Sequence, residues 1–98
     1  MPFDVLFMPR AERQISRLKS YLAERFYPLN AIRYIERLID HCQSLGDAPY
    51  RGTQRPDLGH DVRMIGFERT VSIYFRVTGQ RVLILGISYR GRMPGKFR

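Results

Sequence analysis

Apolar residues keep a helical spacing through the first half of this chain and alternate singly through much of the second. That change of period restricts the fold more than any other feature. Ala11, Ile15, Leu18 and Leu22 recur at three- and four-residue intervals, with Arg and Glu between them. Ala31, Ile35, Leu38, Cys42 and Leu45 repeat the pattern more strictly, widened by Ile32 and Ile39. Each stripe lies along one face of a helix. From Arg69 to Val77 the period falls to two. Val71, Ile73, Phe75 and Val77 share one face, while Thr70, Ser72, Tyr74 and Arg76 share the other, as on a strand.

The remaining segments fall into place around these. Pro2 to Met8 alternates as well, with Phe3, Val5 and Phe7 opposite Asp4 and Leu6, a short strand. Pro9 suits a first helical position, so a helix is expected from Arg10 to about Phe26. Tyr27-Pro28-Leu29-Asn30 breaks it, the second helix starts at Pro28 or at Asn30, and Gly46 stops it. So short a break makes the two helices an antiparallel hairpin. The sixteen residues Gly46 to Asp61 read as a long ordered loop, a kind of segment that tends to be functional. Val62 to Ile65 is a short strand, Thr78-Gly79-Gln80 turns the chain, and Arg81 to Tyr89 returns. Val82-Leu83-Ile84-Leu85 is apolar on both faces, which puts that strand inside the sheet. The expected class is α+β: strand, helical hairpin, then a three-stranded antiparallel segment, with both helices on one face of a small twisted sheet. Residues 1–98 make one domain with one small core.

Charge is distributed unevenly. Residues 1–68 hold ten basic side chains against nine acidic ones, whereas Arg69 to Arg98 holds seven basic and no acidic ones. The net charge of +8 therefore sits almost wholly in the final hairpin and its tail. Such an asymmetry points to an anionic partner: nucleic acid, a protein that handles it, or an acidic polypeptide. Fifteen of the seventeen basic residues are Arg, whose rigid fork of donors suits phosphate or carboxylate. Candidate binding residues are Tyr74, Arg76, Tyr89, Arg90, Arg92, Lys96 and Arg98. Tyr74 is either a half-buried strand residue or an aromatic within a basic recognition surface. The tail cations are either a frayed solubilising tail or part of that surface. The lack of nearby acids favours the surface, because tails kept for solubility mix signs.

Other classes are disfavoured. No apolar run approaches the ~20 residues that cross a bilayer, and Met-Pro-Phe-Asp lacks the pattern of a secretory signal. The single Cys42 cannot form an internal disulfide, which fits a reducing cytoplasm, and on an apolar stripe it is a buried structural thiol. His41 lies beside the helical stripe as a boundary residue, and His60 has a structural or solvated role in the loop. One Cys and two distant His give no metal-ligand spacing. Gly91-Arg92-Met93-Pro94-Gly95 lacks the strand and helix that flank a phosphate loop, so neither metal nor cofactor is expected.

Three stretches carry a family resemblance that covers essentially the whole chain. Met8-Pro9-Arg10-Ala11-Glu12-Arg13 sits at a strand-to-helix corner where ParE-type toxins often have Ser-Pro-x-Ala-x-x-Asp/Glu. The loop Pro49-Tyr50-Arg51-Gly52-Thr53-Gln54-Arg55-Pro56-Asp57-Leu58-Gly59-His60-Asp61-Val62-Arg63 resembles their Pro-x-x-Gly, Arg-Pro-x-Leu-Gly and Leu/Val-Arg pattern. Ile73 to Val77, a Gly turn, and Val82 to Arg92 resemble their closing hairpin with its Tyr-Arg-Gly-Arg end. Met8 departs from the pattern by replacing a helix-capping hydroxyl, a loss of about 1 kcal/mol. The chain is thus identified with the ParE type of the ParE/RelE superfamily. The resemblance implies a toxin of a type II toxin–antitoxin pair, acting on DNA gyrase. It also implies a hetero-oligomer with a ParD-like acidic antitoxin, whose N-terminal half binds DNA and whose C-terminal half wraps the toxin. The RelE branch shares the fold but cuts mRNA on the ribosome.

The residues bear on that choice. Cleaving RNA through its 2′-hydroxyl needs a proton acceptor, a donor to the leaving oxygen and cations on the phosphate. The candidates here are Arg63, Arg76, Tyr89, Arg90 and Arg92. Arg does not give up its proton in proteins. A tyrosine becomes a base only when its pKa, ~10 in model peptides, is strongly lowered. Phosphate-binding groups are plentiful and proton-transfer groups are scarce. The expectation is therefore a gyrase poison rather than a catalyst, with a ribosome-dependent mRNA interferase as the alternative.

Overall fold

Proline opens both helices. In the computed structural model, which describes residues 2–98, β1 (Asp4–Phe7) leads at Pro9 into α1 (Pro9–Arg25), and Pro28 opens α2 (Pro28–Gln43). The start of the second helix is therefore Pro28. The residues before each proline, Met8 and Tyr27, are extended and supply no side-chain cap. Proline's fixed φ and missing N–H partly replace that cap. A 3₁₀ turn, Ser44–Gly46, continues α2. Gly46 does more than end the helix. Its carbonyl accepts the Phe3 N–H at 2.8 Å, and an added Cβ would lie 2.6 Å from the Phe3 carbonyl oxygen. The end of α2 is thereby tied to β1.

The loop that follows is not structureless. It contributes a two-residue edge strand, β2 (Thr53–Gln54), and a 3₁₀ turn, Pro56–Leu58. Then come β3 (Arg63–Phe67), β4 (Val71–Thr78) and β5 (Arg81–Tyr89). The five strands lie in the order β1-β5-β4-β3-β2. β1 runs parallel to β5, and the other pairs are antiparallel. As its two-sided apolar run implied, β5 is internal.

The pairing of β5 with β4 skips Leu85: Phe75 faces Ile84, and Tyr74 faces Gly86. This bulge turns Leu85 and Gly86 to the same face, so Val82, Ile84, Ile87 and Tyr89 all reach the helices. Without it, Ser88 would enter the core in place of Ile87. Gly86 leaves room for two neighbours, since a Cβ there would meet Gln14 Oε1 at 2.8 Å and the Phe97 ring at 3.0 Å.

Both faces of the sheet are covered, by unequal means. The helices bury one face through Ile15, Leu18, Leu22, Ile35, Leu38 and Leu45 against the strand residues Val71, Ile73, Phe75 and Ile84. The other face carries a smaller cluster of Leu58, Val62, Tyr74, Leu85 and Phe97. Tyr74 lies opposite Val71, Ile73 and Phe75, as the alternation implies, but is enclosed there and not half-buried or on a recognition surface. It is 3% exposed, and its hydroxyl hydrogen-bonds to Ser88 Oγ at 3.1 Å. That second face is roofed by the loop and by the end of the chain.

Candidate binding groove beside the last strand

The tail is a strap rather than a frayed end. Phe97 is buried; its N–H donates to the Leu58 carbonyl at 2.6 Å. Its ring lies 5.5 Å from that of Tyr74, with the Arg10 guanidinium 4.5 Å above it. Arg10 also donates to the carbonyls of Pro94 and Lys96. Lys96 and Arg98 keep their own side chains in solvent.

Several candidate cations turn out to be occupied. Arg76 donates to the carbonyls of His60 at 2.7 Å and Arg98 at 3.0 Å, clamping the strap to the loop. Arg63 donates to the carbonyls of Tyr50 at 2.7 Å and Arg51 at 3.2 Å. Arg51 in turn reaches Ser44 Oγ and the Ala48 carbonyl, and Arg55 pairs with Asp57 at 2.9 Å. The arginines that made the loop recognisable hold its shape. Of the residues considered for nuclease chemistry, Arg63 and Arg76 are thus spent on main-chain oxygens, while Tyr89, Arg90 and Arg92 gather at the end of β5. His60 is exposed beside Asp61, and His41 packs on Phe67 with ring centroids 5.4 Å apart. Among the described residues, no three His, Cys, Asp or Glu side chains converge in a way that could hold a metal ion. Cys42 is fully buried, which pushes its thiol up to about 12.

A groove runs along α1 and past the end of β5 in two lobes that share Tyr89. One lobe, of about 550 Å³, lies between α1 and the strap, lined by Arg17, Tyr21, Ile87, Tyr89, Arg90 and Arg92. The other, of about 480 Å³, lies between the helices and the β3–β4 turn, lined by Leu22, Phe26, Ala31, Arg33, Tyr34 and Arg37. Tyr21 and Tyr89 meet edge to face at 5.8 Å and form the sill between them. Beside the second lobe the hairpin tip exposes Phe26, Tyr27, Leu29 and Ile32. None of the described residues lining either lobe is Asp, Glu or His. Glu68, in the β3–β4 turn, is engaged by Arg37 through two hydrogen bonds of 2.9 and 3.2 Å. Those bonds hold the Glu68 carboxyl below its ordinary range. Burial raises the Tyr34 phenol, although a hydrogen bond to the Thr70 hydroxyl at 2.8 Å opposes this. The groove thus offers an apolar floor, aromatic walls and a cationic rim. Such a surface suits anionic amphipathic material, and none of the described lining residues is a carboxylate or imidazole that could serve as an ordinary proton acceptor.

The sequence points to Tyr89, Arg90 and Arg92, and to grooves around the helical hairpin, but to no individual residue of the helical wall. Arg17, Tyr21 and Arg33 flank the apolar stripes, and that flanking position was the available signal. Arg69 was assigned to a strand, whereas Glu68 and Arg69 form a turn at φ 46° and 63°. Glu-Arg carries no turn signature of the Asn-Gly kind.

The comparisons with known proteins agree on kind. The family model described as the ParE toxin of the type II toxin–antitoxin system parDE matches residues 5–94. No curated protein sequence matches significantly. Among solved structures, the chromosomal ParDE toxin–antitoxin system of P. aeruginosa superposes with a TM-score of 0.78 at 22% identity, over 89% of this chain and 95% of that one. The toxin–antitoxin complex RelBE2 of Mycobacterium tuberculosis superposes with a TM-score of 0.66 at 18% identity, over 94% and 95%. At these identities the superpositions speak for the fold, and the family model spans all but the ends of the chain. The chain belongs to the ParE toxin family of type II toxin–antitoxin systems.

Proposed function

We propose that this toxin inhibits growth by binding DNA gyrase as a poison, and that an acidic ParD-like antitoxin neutralises it by occupying the groove. The observation that carries the proposal is the acid-free groove, with Arg17, Arg33, Arg90 and Arg92 around an apolar floor. An amphipathic acidic segment that folds on binding matches it in both charge and hydrophobicity. Such binding explains neutralisation directly, because a segment lying there covers Tyr89, Arg90 and Arg92, the residues proposed to contact the target. Lys96 and Arg98 extend that cationic surface; Arg76 and Tyr74 support it from beneath. No metal or cofactor enters the proposed action. Its setting is the cytoplasm, where gyrase works. Among the described residues, no helix is long and apolar enough to cross a membrane.

The test is expression of the isolated chain, with gyrase supercoiling and mRNA integrity measured in parallel. The expected result is impaired supercoiling with intact message, and loss of toxicity in the Arg90→Ala/Arg92→Ala double variant at unchanged thermal stability. Codon-specific mRNA cleavage that disappears on Tyr89→Phe would overturn the gyrase reading and move the protein to the interferase branch.

A further inference from the structure

The helices cover one face of the sheet and the strap covers part of the other, so a strand edge left bare between them opens into a slot. β5 has such an edge. β1 pairs with it only from Arg81 to Ile84, and Pro9 then turns the chain away into α1 while β5 continues to Tyr89. On the β4 side, Arg90 donates its N–H to the Thr70 carbonyl at 2.7 Å. By strand alternation, Ile87 and Tyr89 turn their main-chain groups the other way, into the lobe of about 550 Å³. Gln14 Oε1 accepts the Ile87 N–H at 2.8 Å. What then faces the lobe is an acceptor, the Ile87 carbonyl, beside a donor, the Tyr89 N–H. Leu18 and Tyr21 of α1 wall one side, and Met93 and Pro94 of the strap wall the other. Arg17, Arg90 and Arg92 stand exposed at the rim, and no acid is among the described lining residues.

We propose that this lobe is a binding site for a purine nucleoside triphosphate. The pairing edge of a nucleobase carries a donor next to an acceptor, and proteins read single bases through that edge while apolar or aromatic side chains hold the ring. Adenine would donate from its amino group to the Ile87 carbonyl and accept the Tyr89 N–H on the adjacent ring nitrogen, which pairs both main-chain groups. The slot receives a flat ring edge-on between the α1 wall and the strap wall, and the larger ring of a purine makes more of both. Three arginines then meet the triphosphate, whose oxygens match their forks of donors. The volume, about 550 Å³, falls within the roughly 300–1,000 Å³ of small-molecule sites. A bare phosphate would use the rim alone, and an apolar molecule the walls alone. A nucleotide uses the main-chain pair, the walls and the rim together. Neither gyrase nor an antitoxin enters this binding.

The probes are ATP and GTP, each titrated into the isotope-labelled chain alone and followed by calorimetry and NMR. One-to-one binding should move the amide signals of Ile87 and Tyr89. Tripolyphosphate and adenosine, which carry only part of the recognised groups, should bind at least tenfold more weakly than ATP. N1-methylated ATP, whose ring nitrogen no longer accepts a hydrogen bond, should lose as much. Arg17→Glu and Arg92→Glu should each weaken nucleotide binding at least tenfold. Lys19→Glu, the same charge change at an exposed site outside the lobe, should not. Tripolyphosphate binding as tightly as ATP would reduce the lobe to a general anion patch. A single-stranded oligonucleotide that binds where the mononucleotides do not would make it part of a nucleic-acid track. Either result, or no binding of ATP or GTP at millimolar concentration, overturns the nucleotide site.

Discussion

On one face of the sheet two helices lay down a continuous apolar layer; on the other, a loop and the end of the chain close a patch of five buried side chains. The helical face is held by many interchangeable contacts, each fully buried side chain adding roughly 1.5–3 kcal/mol. The second face is held by individual anchors: Phe97 in its pocket, Arg10 above it, Arg76 clamping the strap to the loop, Arg63 gripping the loop. Arginine is thus put to two uses in one small protein. Arg10, Arg63 and Arg76 donate to main-chain oxygens that fix the strap and the loop, whereas Arg17, Arg90 and Arg92 line a groove with no acid among its described lining residues. A count of basic residues does not separate the two.

The largest expected effect tests the helical face. Leu38→Ala and Ile84→Ala each remove a fully buried side chain and should cost about 2–5 kcal/mol in urea denaturation, through lost transfer energy and the cavity left behind. A loss below 1 kcal/mol for both would mean that this face is not the principal core.

Phe97→Ala should cost less, about 2 kcal/mol, because the strap can lift as a local unit and leave the sheet folded. Trypsin should then cut quickly after Arg92 and Lys96, while the helical face stays closed. Cys42 reports on that closure. With its thiol pushed up to about 12, it should resist alkylation at pH 8 in both the wild type and Phe97→Ala, and react much faster once the helical core is opened by denaturant. Rapid Cys42 labelling in Phe97→Ala would show that the two faces are a single cooperative unit.

The same contrast explains what could be read in advance. Helices, strands and the internal place of β5 were legible because each rests on a repeated spacing, where one ambiguous residue is outvoted by its neighbours. The second face rests on single residues with no period. Phe97 stands alone in a Gly-, Pro- and Arg-rich tail, and nothing local shows that Leu58 and Tyr74 will meet it. For that reason the sequence leaves Tyr74 between a half-buried strand residue and a recognition aromatic. The bulge at Leu85 was hidden likewise, since an unbroken apolar run does not reveal where its phase slips. The site was half legible: Tyr89, Arg90 and Arg92 are adjacent in sequence, whereas Arg17, Tyr21 and Arg33 join them only through the packing of α1 and α2 on the sheet.

A smaller effect concerns the rim beside the second lobe. Arg69 holds φ 63° in the β3–β4 turn and Arg90 holds φ 56° one strand away, a conformation that disfavours a side chain and suits glycine. Arg69→Gly should therefore stabilise the protein by up to ~1 kcal/mol, measured as a raised urea midpoint. If toxicity falls while stability rises, the Arg69 side chain belongs to the cationic surface. If stability falls instead, the Arg69 side chain makes contacts that outweigh its backbone strain.

The smallest effect is acid sensitivity, and it too differs between the two faces. Glu68 is held below its ordinary 4.5 chiefly by its hydrogen bonds to Arg37, which tie α2 to the β3–β4 turn. Asp57 is held below 3.8 chiefly by Arg55, two residues away in the loop. A carboxyl lowered by folding adds stability at pH values above its unfolded pKa, and that stability is lost as pH falls through the folded one. The melting temperature should therefore decline as pH drops below about 4.5, and Glu68→Gln should flatten that decline. Asp57→Asn should act only below about 3.8 and more weakly, since its pair closes a local turn instead of joining distant elements. Both effects stay small because the pairs are wet: the Arg37 and Glu68 side chains are 54% and 41% exposed, and solvent screens such pairs strongly. Thermal melts from pH 6 to pH 3 on the two variants decide the point. An equal response would mean that acid acts on the charge of the chain as a whole, with the link between α2 and the turn contributing nothing of its own.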